Sequence, residues 1–336
     1  GGCAMRFVYY DDLDSGRTQQ FGIEVFGVIY RLADVIQYMR GALNAPDLPE
    51  PDTIWAYHAL APAEKARLHE AIQQISALDP AARSELIKAN MRWLSPVPQP
   101  RSLRCFSSFE GHTRAVRQRR GLSMPTEWFS TPVFQFGNHN AIYPHGGEVP
   151  QSASFWLDFE MQVACVIGKR GINIRAEQAD DYIAGYTILN DWCARDLEMY
   201  EMRMGLGPAK GRDFAVSLGP TLVTPDELSS YAIGEGAQQR YDLKMSATVN
   251  NKPLFGLQTS TLRTIHFTFA QMIERASADA WLFPGDVLAS GAVDNGSLLS
   301  LGAEETLGRW LQTGDVVDLE VEGLGVLRNT VAPPIM

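Results

Sequence analysis

Apolar positions along the chain fall into two regimes. Over residues 5–32 the pieces RFVYY, FGIEVFG and VIYRL cluster or alternate apolar side chains around turn residues such as Asp14, Ser15 and Gly16, a pattern of short strands. Over 33–44 the spacing becomes helical, and a loop rich in proline and acid follows at 46–51. A further helix is predicted from about Ala61, with Pro62 in its first turn and Glu64 close behind, and another over 80–93. The alternate prolines of SPVPQPRS at 95–102 favour extended backbone and mark the clearest linker. They divide an N-terminal α+β domain, 1–98, from a second domain, 99–336.

Beyond the linker strand-type runs dominate, at 155–168, 243–249, 287–289 and 316–321. Helices are predicted at 177–185, 195–203 and 269–276, and Pro284-Gly285-Asp286 and Thr313-Gly314-Asp315 read as turns. Long strands with few helices predict an α+β, mostly β architecture over a doubly wound sheet. The sequence shows no internal repeat and no GxGxxG or GxxxxGK loop.

Composition narrows the partners. The 336 residues suffice for a core domain with a smaller one attached. Lys and Arg total 29 against 39 Asp and Glu, a formal charge of −10, which argues against nucleic acid because phosphate contact needs a basic surface. The basic cluster Arg114, Arg117, Arg119 and Arg120 reads either as a solvated helix end or as an anion-binding edge of a site. Cys3, Cys105, Cys165 and Cys193 show no CxxC or framework spacing. With no evident signal peptide and no membrane-length apolar run, a reducing cytoplasm is the expected home. Residues 1–4, before Met5, read as an expression scar.

Three segments concentrate chemistry. In DFEMQ (158–162), Asp158, Glu160 and Gln162 alternate onto one strand face, which needs partners, a site or access to solvent. In NDWCARD (190–196), Asp191 is either a helix cap or a ligand. In RCFSSFEGH (104–112), Cys105 and His112 lie seven apart, on one face if the segment is helical. A lone histidine or cysteine there is more often structural than catalytic.

Together these segments resemble the fumarylacetoacetate hydrolase superfamily over nearly the whole chain. The match is carried by LDFE (157–160), NDWCARD (190–196), SLGPTLVTP (217–225), FAQMI (269–273), PGDVLASG (284–291) and GLGVLRN (323–329), in the family's order. The resemblance implies a β-sandwich roll behind a small N-terminal α+β domain, usually in a homodimer. It also implies carboxylate-bound Mg²⁺, Mn²⁺ or Ca²⁺ and carbon–carbon hydrolysis, decarboxylation, hydration or isomerisation of oxo acids and diketones, by metal polarisation and enolate stabilisation.

Carried over position by position, the resemblance places the general base at His112 and the surviving metal carboxylates at Glu160 and Asp191. Cys105 and Gln162 stand where two further acids are expected. Arg195 keeps the arginine after the Asp-Trp motif, Glu198 replaces a common glutamine, and Arg212 replaces the catalytic lysine. Ser107 stands at an aromatic substrate contact and Ala292 where a threonine hydroxyl would meet the substrate, with Gln135 adding polarity. The glutamate that pairs with the histidine has no clear equivalent; Asp294 is nearest. Sulfur suits Mg²⁺ and Ca²⁺ poorly, and each missing carboxylate removes several kcal/mol of attraction at about 4 Å, so divalent binding is expected to be weak or absent.

Three functions remain open. One is an enzyme of altered chemistry on an enolisable oxo acid or β-diketone (tautomerisation, decarboxylation, dehydration or cyclisation, as in biosynthesis), with Arg195 and Arg212 holding the enolate. The second is a metal-dependent hydrolase of acylpyruvate or fumarylacetoacetate type. The third is a non-catalytic binding homologue. Cys105 as a nucleophile activated by His112 is a minor fourth.

Overall fold

The computed structural model describes residues 5–335. Cys3 and the segment read as an expression scar lie outside the described residues. The N-terminal part runs β1 (Arg6–Asp12), β2 (Arg17–Val25), β3 (Val28–Arg31), α1 (Leu32–Ala42), α2 (Ile54–Ala59), α3 (Pro62–Gln73), α4 (Pro80–Leu86), β4 (Ile87–Lys88) and β5 (Met91–Leu94). After the proline-rich stretch come β6 (Ser102–Phe106), α5 (Glu110–Arg119), β7 (Phe134–Phe136), β8 (Ile142–Pro144), β9 (Glu148–Pro150), β10 (Leu157–Asp158), β11 (Met161–Ile167), β12 (Ile183–Asp191), β13 (Cys193–Ala194), α6 (Arg195–Met202) and β14 (Val216–Val223). The remainder is β15 (Ala232–Ile233), β16 (Arg240–Tyr241), β17 (Lys244–Val249), β18 (Lys252–Pro253), β19 (Ser260–Thr261), α7 (Phe269–Ser277), β20 (Asp286–Ala289), α8 (Leu298–Leu301), α9 (Ala303–Thr306), β21 (Val316–Val321) and β22 (Gly325–Ala332).

Two sheets organise these elements, and the α+β expectation holds. The larger has the order β4-β3-β2-β1-β14-β12-β11-β20-β6-β7, with β5 on β1 and β8 on β14. It crosses the expected domain boundary, since β1 pairs with β14 at Arg6↔Val223. The smaller runs β18-β17-β21-β22-β9, with β19 on β17. The residues of β11 show why the large sheet is buried on both faces. Val163, Cys165 and Ile167 point into a core shared with Met245, Val317 and Leu319 of the smaller sheet. Ala164 and Val166 point the other way, into a core shared with Leu32, Ile36 and Leu68 of the N-terminal helices. A strand buried on both sides needs the continuous apolar run that this segment has.

Several local expectations are corrected. The helix expected over 80–93 stops at Leu86, because Trp93 pairs across β1 with Tyr10 and packs with Met91 against Val8, Tyr10 and Ile29. The helix expected at 177–185 is a 3₁₀ segment, Ala176–Tyr182, and Ile183 already begins β12. The strand expected over 155–168 breaks between β10 and β11, at Phe159 and Glu160. Helix α2 was not anticipated; the Thr53 hydroxyl caps it by accepting from the Ala56 amide at 3.1 Å.

At the break, Phe159 is fully buried between the sheets. Phe159→Ala is expected to lower the unfolding free energy by about 3–5 kcal/mol, measured by urea denaturation, with the site's charged residues untouched.

Candidate active site

The break between β10 and β11 turns the side chains of Asp158 and Glu160 toward α6. Strand β11 then presents Gln162, and β12 ends in Asp191. Helix α6 starts at Arg195 and brings Glu198 one turn on. Arg212 arrives on the loop that follows α6, whose position is fixed from below. The Glu201 carboxylate accepts from the amides of Ala209, Lys210 and Gly211 at 2.6, 2.7 and 3.1 Å. A Cβ on Gly211 would lie 2.7 Å from the Glu198 nitrogen, so only glycine lets the loop lie this close to α6.

The result is a buried ion network. Arg195, 1% exposed, donates through Nε to Asp158 at 2.8 Å, through Nη2 to Glu160 at 2.9 Å and through Nη1 to Glu198 at 3.1 Å. Arg212 donates through Nη1 to Glu160 at 2.8 Å and Asp191 at 2.7 Å. Its Nη2 reaches Glu160 at 2.7 Å and Glu198 at 2.8 Å, and its Nε reaches Glu198 at 2.9 Å. Arg120, beyond the end of α5, adds a third guanidinium on Glu198 at 2.8 Å. Asp158 also accepts from the first amides of α8, Leu298 at 2.8 Å and Leu299 at 3.0 Å.

Burial pushes Glu160 and Glu198 up, but Arg212 and Arg195 outweigh it and hold both well below the usual carboxylate range. Asp191 goes the other way: burial and the charge of Glu160 together outweigh Arg212, so Asp191 takes up a proton more readily than its neighbours. Burial and Asp191 push the Cys105 thiol up, leaving it protonated and a poor nucleophile.

The expected single helix through Cys105 and His112 is a strand, a loop and a helix. Cys105 lies in β6, paired with Ala289 of β20, and His112 lies in the first turn of α5. The two still meet one cavity of about 370 Å³, which is also lined by Ser107, Gln135, Glu160, Gln162, Asp191, Arg195, Glu198, Arg212 and Ala292. Asp191 is not a helix cap, since Ala194 occupies that position of α6. Asp294 binds the backbone amide of His112 at 3.0 Å, not its ring. The acid nearest the ring is Glu160, 3.9 Å from Nε2. Of the basic cluster, Arg117 and Arg120 line the cavity, while Arg114 pairs with Glu110 and Arg119 with Glu305. Spacing gives no signal that could have separated them, since Arg114 and Arg117 are also three apart and Arg120 lies past the helix end. Ser108, fully buried with its hydroxyl unpartnered at the cavity wall, carried no such signal.

Burial lowers His112 to about 4, opposed by Glu160 and aided by Arg195 and Arg212, with Asp294 a smaller opposing charge. Its Nδ1 is buried without a partner. The ring is therefore neutral at pH 7, with that nitrogen engaged by no other group.

A histidine facing a carboxylate–arginine cluster in a cavity of this size is suited to acid–base chemistry on a small molecule. The chain belongs to the fumarylacetoacetate hydrolase family: the family's C-terminal domain model matches residues 103–332. It is 27% identical to oxaloacetate tautomerase YisK of Bacillus subtilis over 70% of this chain and 72% of that protein. It is 29% identical to the mitochondrial oxaloacetate tautomerase Fahd2a of Rattus norvegicus over 75% and 73%. The fold matches a fumarylacetoacetate hydrolase of Exiguobacterium antarcticum with a TM-score of 0.67, 20% identity, and 98% and 99% of the two chains covered. Enzyme status follows from this membership. No described helix is long and apolar enough to cross a membrane.

Family members commonly use a divalent ion, but the donor set here does not fit one. Both Glu160 oxygens and Oδ2 of Asp191 accept from Arg212, and Oε1 of Gln162 accepts from the Gly291 amide at 3.0 Å. Cys105 offers a protonated sulfur.

Two outcomes follow. The His112 imidazole signals in NMR should stay flat from about pH 8 to about pH 5 and titrate only near 4. A midpoint near 6.5 would contradict a buried neutral ring. Between those values the unfolded ring binds a proton that the folded one refuses, so this group's contribution to stability rises with pH. Asp158→Asn leaves Arg195 undercompensated and should cost about 3–5 kcal/mol in denaturant unfolding.

Proposed function

We propose that this chain moves a proton between carbon and oxygen of a small enolisable oxo acid, with keto–enol tautomerisation as its principal reaction. The observation that carries this is the neutral ring of His112, set in the cavity wall with a free ring nitrogen beside a charge-compensated bed. A neutral imidazole can take the proton α to a carbonyl and return it to the enolate oxygen. Proton transfer needs neither an activated water nor a departing carbon fragment. This suits a pocket whose lysine and threonine positions are Arg212 and Ala292. The names of the tautomerase relatives point the same way.

Substrate anchoring falls to the cavity's other edge. Arg117 makes no ion pair among the described residues, and Arg120 leaves Nε unpartnered. Both offer N–H groups to a substrate carboxylate. Ser107 and Gln135 add polar contacts, and Val116, Phe134 and Met202 supply an apolar wall. Arg195 and Arg212, expected to hold the enolate directly, act in this reading through field rather than contact. The nitrogens of both already serve carboxylates.

The test is enol-to-keto conversion of oxaloacetate, followed by loss of enol absorbance. His112→Ala should lower kcat/KM by about 10²–10⁴-fold, and Arg117→Ala should mainly raise KM. EDTA-sensitive cleavage of an acylpyruvate without tautomerase activity would favour the hydrolase reading. Stabilisation by oxaloacetate with no turnover would favour a binding protein.

A further inference from the structure

A guanidinium has five N–H donors in one plane. Nη1 of Arg212 spends two on Glu160 and Asp191, Nη2 two on Glu160 and Glu198, and Nε one on Glu198. Every donor is matched by a carboxylate oxygen, all within 2.9 Å. Three carboxylates converge on this one centre, and as they are spaced around it no group of three or more His, Cys, Asp or Glu among the described residues could hold a metal ion. Here the centre is an organic cation delivered by the chain itself.

We propose that Arg212 is a resident cation that occupies the metal's place in this cluster and closes the cavity to divalent ions. The loop that carries it is held against α6 by the Glu201 carboxylate and by the close approach of Gly211 to Glu198, so the side chain is seated by its backbone. Arginine stays charged at any working pH, which makes this cation permanent. A divalent ion held by Glu160 and Asp191 would have to displace it from both, leaving the guanidinium with Glu198 alone.

This differs from simple loss of ligands. If the missing acids at Cys105 and Gln162 were the whole cause, restoring them would restore the metal site. If Arg212 is the block, restoring them is not enough.

The experiment measures Mn²⁺ binding by calorimetry and by the shift of the melting temperature, on the full chain. The wild type, the Cys105→Asp/Gln162→Glu double variant and a triple variant that adds Arg212→Ala are compared. The wild type and the double variant should show no binding. The triple variant should bind at least about a hundredfold more tightly than the double, because three or more acids then face an open centre. It should also melt lower without Mn²⁺ and recover with it. Should the alanine version fail to fold without metal, it is refolded with and without Mn²⁺, beside a version carrying Arg212→Gln. Folding recovered only with Mn²⁺ supports the proposal. Mn²⁺ binding by the double variant equal to that of the triple overturns it, and so does absence of Mn²⁺ binding or rescue in both Arg212 variants. Because the readout is metal binding, either result leaves the tautomerisation test independent.

Discussion

The interior of this protein must keep four carboxylates and the Arg195 guanidinium almost wholly out of water, with Arg212 part-buried beside them, and the structure around the cavity answers to that demand. Asp158, Glu160, Asp191 and Glu198 are all buried. Taking such groups from water costs several kcal/mol each unless every lone pair and N–H finds a partner. Arg195 and Arg212 supply most of those partners, and Arg120, the first amides of α8, the Phe159 amide and the Gln162 side chain add further ones. With Arg120 counted, four acids face three bases, and the acid most inclined to hold a proton, Asp191, is the one that brings the sum toward neutrality. The network also joins elements distant in the chain. Asp158 ties the end of β10 to α8 and α6, and Glu160 ties the start of β11 to the loop after α6.

That compensation bears on the proton transfer proposed for His112. A histidine beside unbalanced carboxylates would be drawn toward its charged form, whereas here the arginines offset them and burial keeps the ring neutral. Enolate charge forming near His112 would meet cations already fixed in place, so little reorganisation is needed as charge moves. Gly291 also lines the cavity. Its φ of +85° and the Phe106 carbonyl, 2.5 Å from where a Cβ would sit, admit only glycine, and its amide orients Gln162.

Much of this was legible from residues alone. Polar alternation at Asp158, Glu160 and Gln162 and the dense NDWCARD run marked groups that need partners, and the family resemblance turned them into a site; Glu160, Gln162, Asp191 and Arg195 do line the cavity, while Asp158 lies behind it on Arg195. The helical reading of Cys105 and His112 failed for an identifiable reason. A separation of seven fits a helix, but β6 exists because it pairs with β20, about 180 residues away, and no local pattern reports that pairing. The lysine-to-arginine change at Arg212 was visible, yet its meaning was not. Where a long side chain ends depends on the loop that carries it, and the Glu201 clamp on that loop involves backbone amides that have no sequence signature.

Arg195, Glu198, Glu201, Gly211 and Arg212 fall within eighteen consecutive residues, read directly from the chain. Both principal guanidiniums, the acid that bridges them and the acid that clamps the loop thus travel in one short cassette. The scaffold supplies the acids that receive them, with Arg120 and the first amides of α8 alongside. On the proposed reading, a lineage could put an encoded cation in the metal's place chiefly through this helix-and-loop segment, with Cys105 and Gln162 changing outside it. Its enzyme would then owe nothing to the metal supply of the cell.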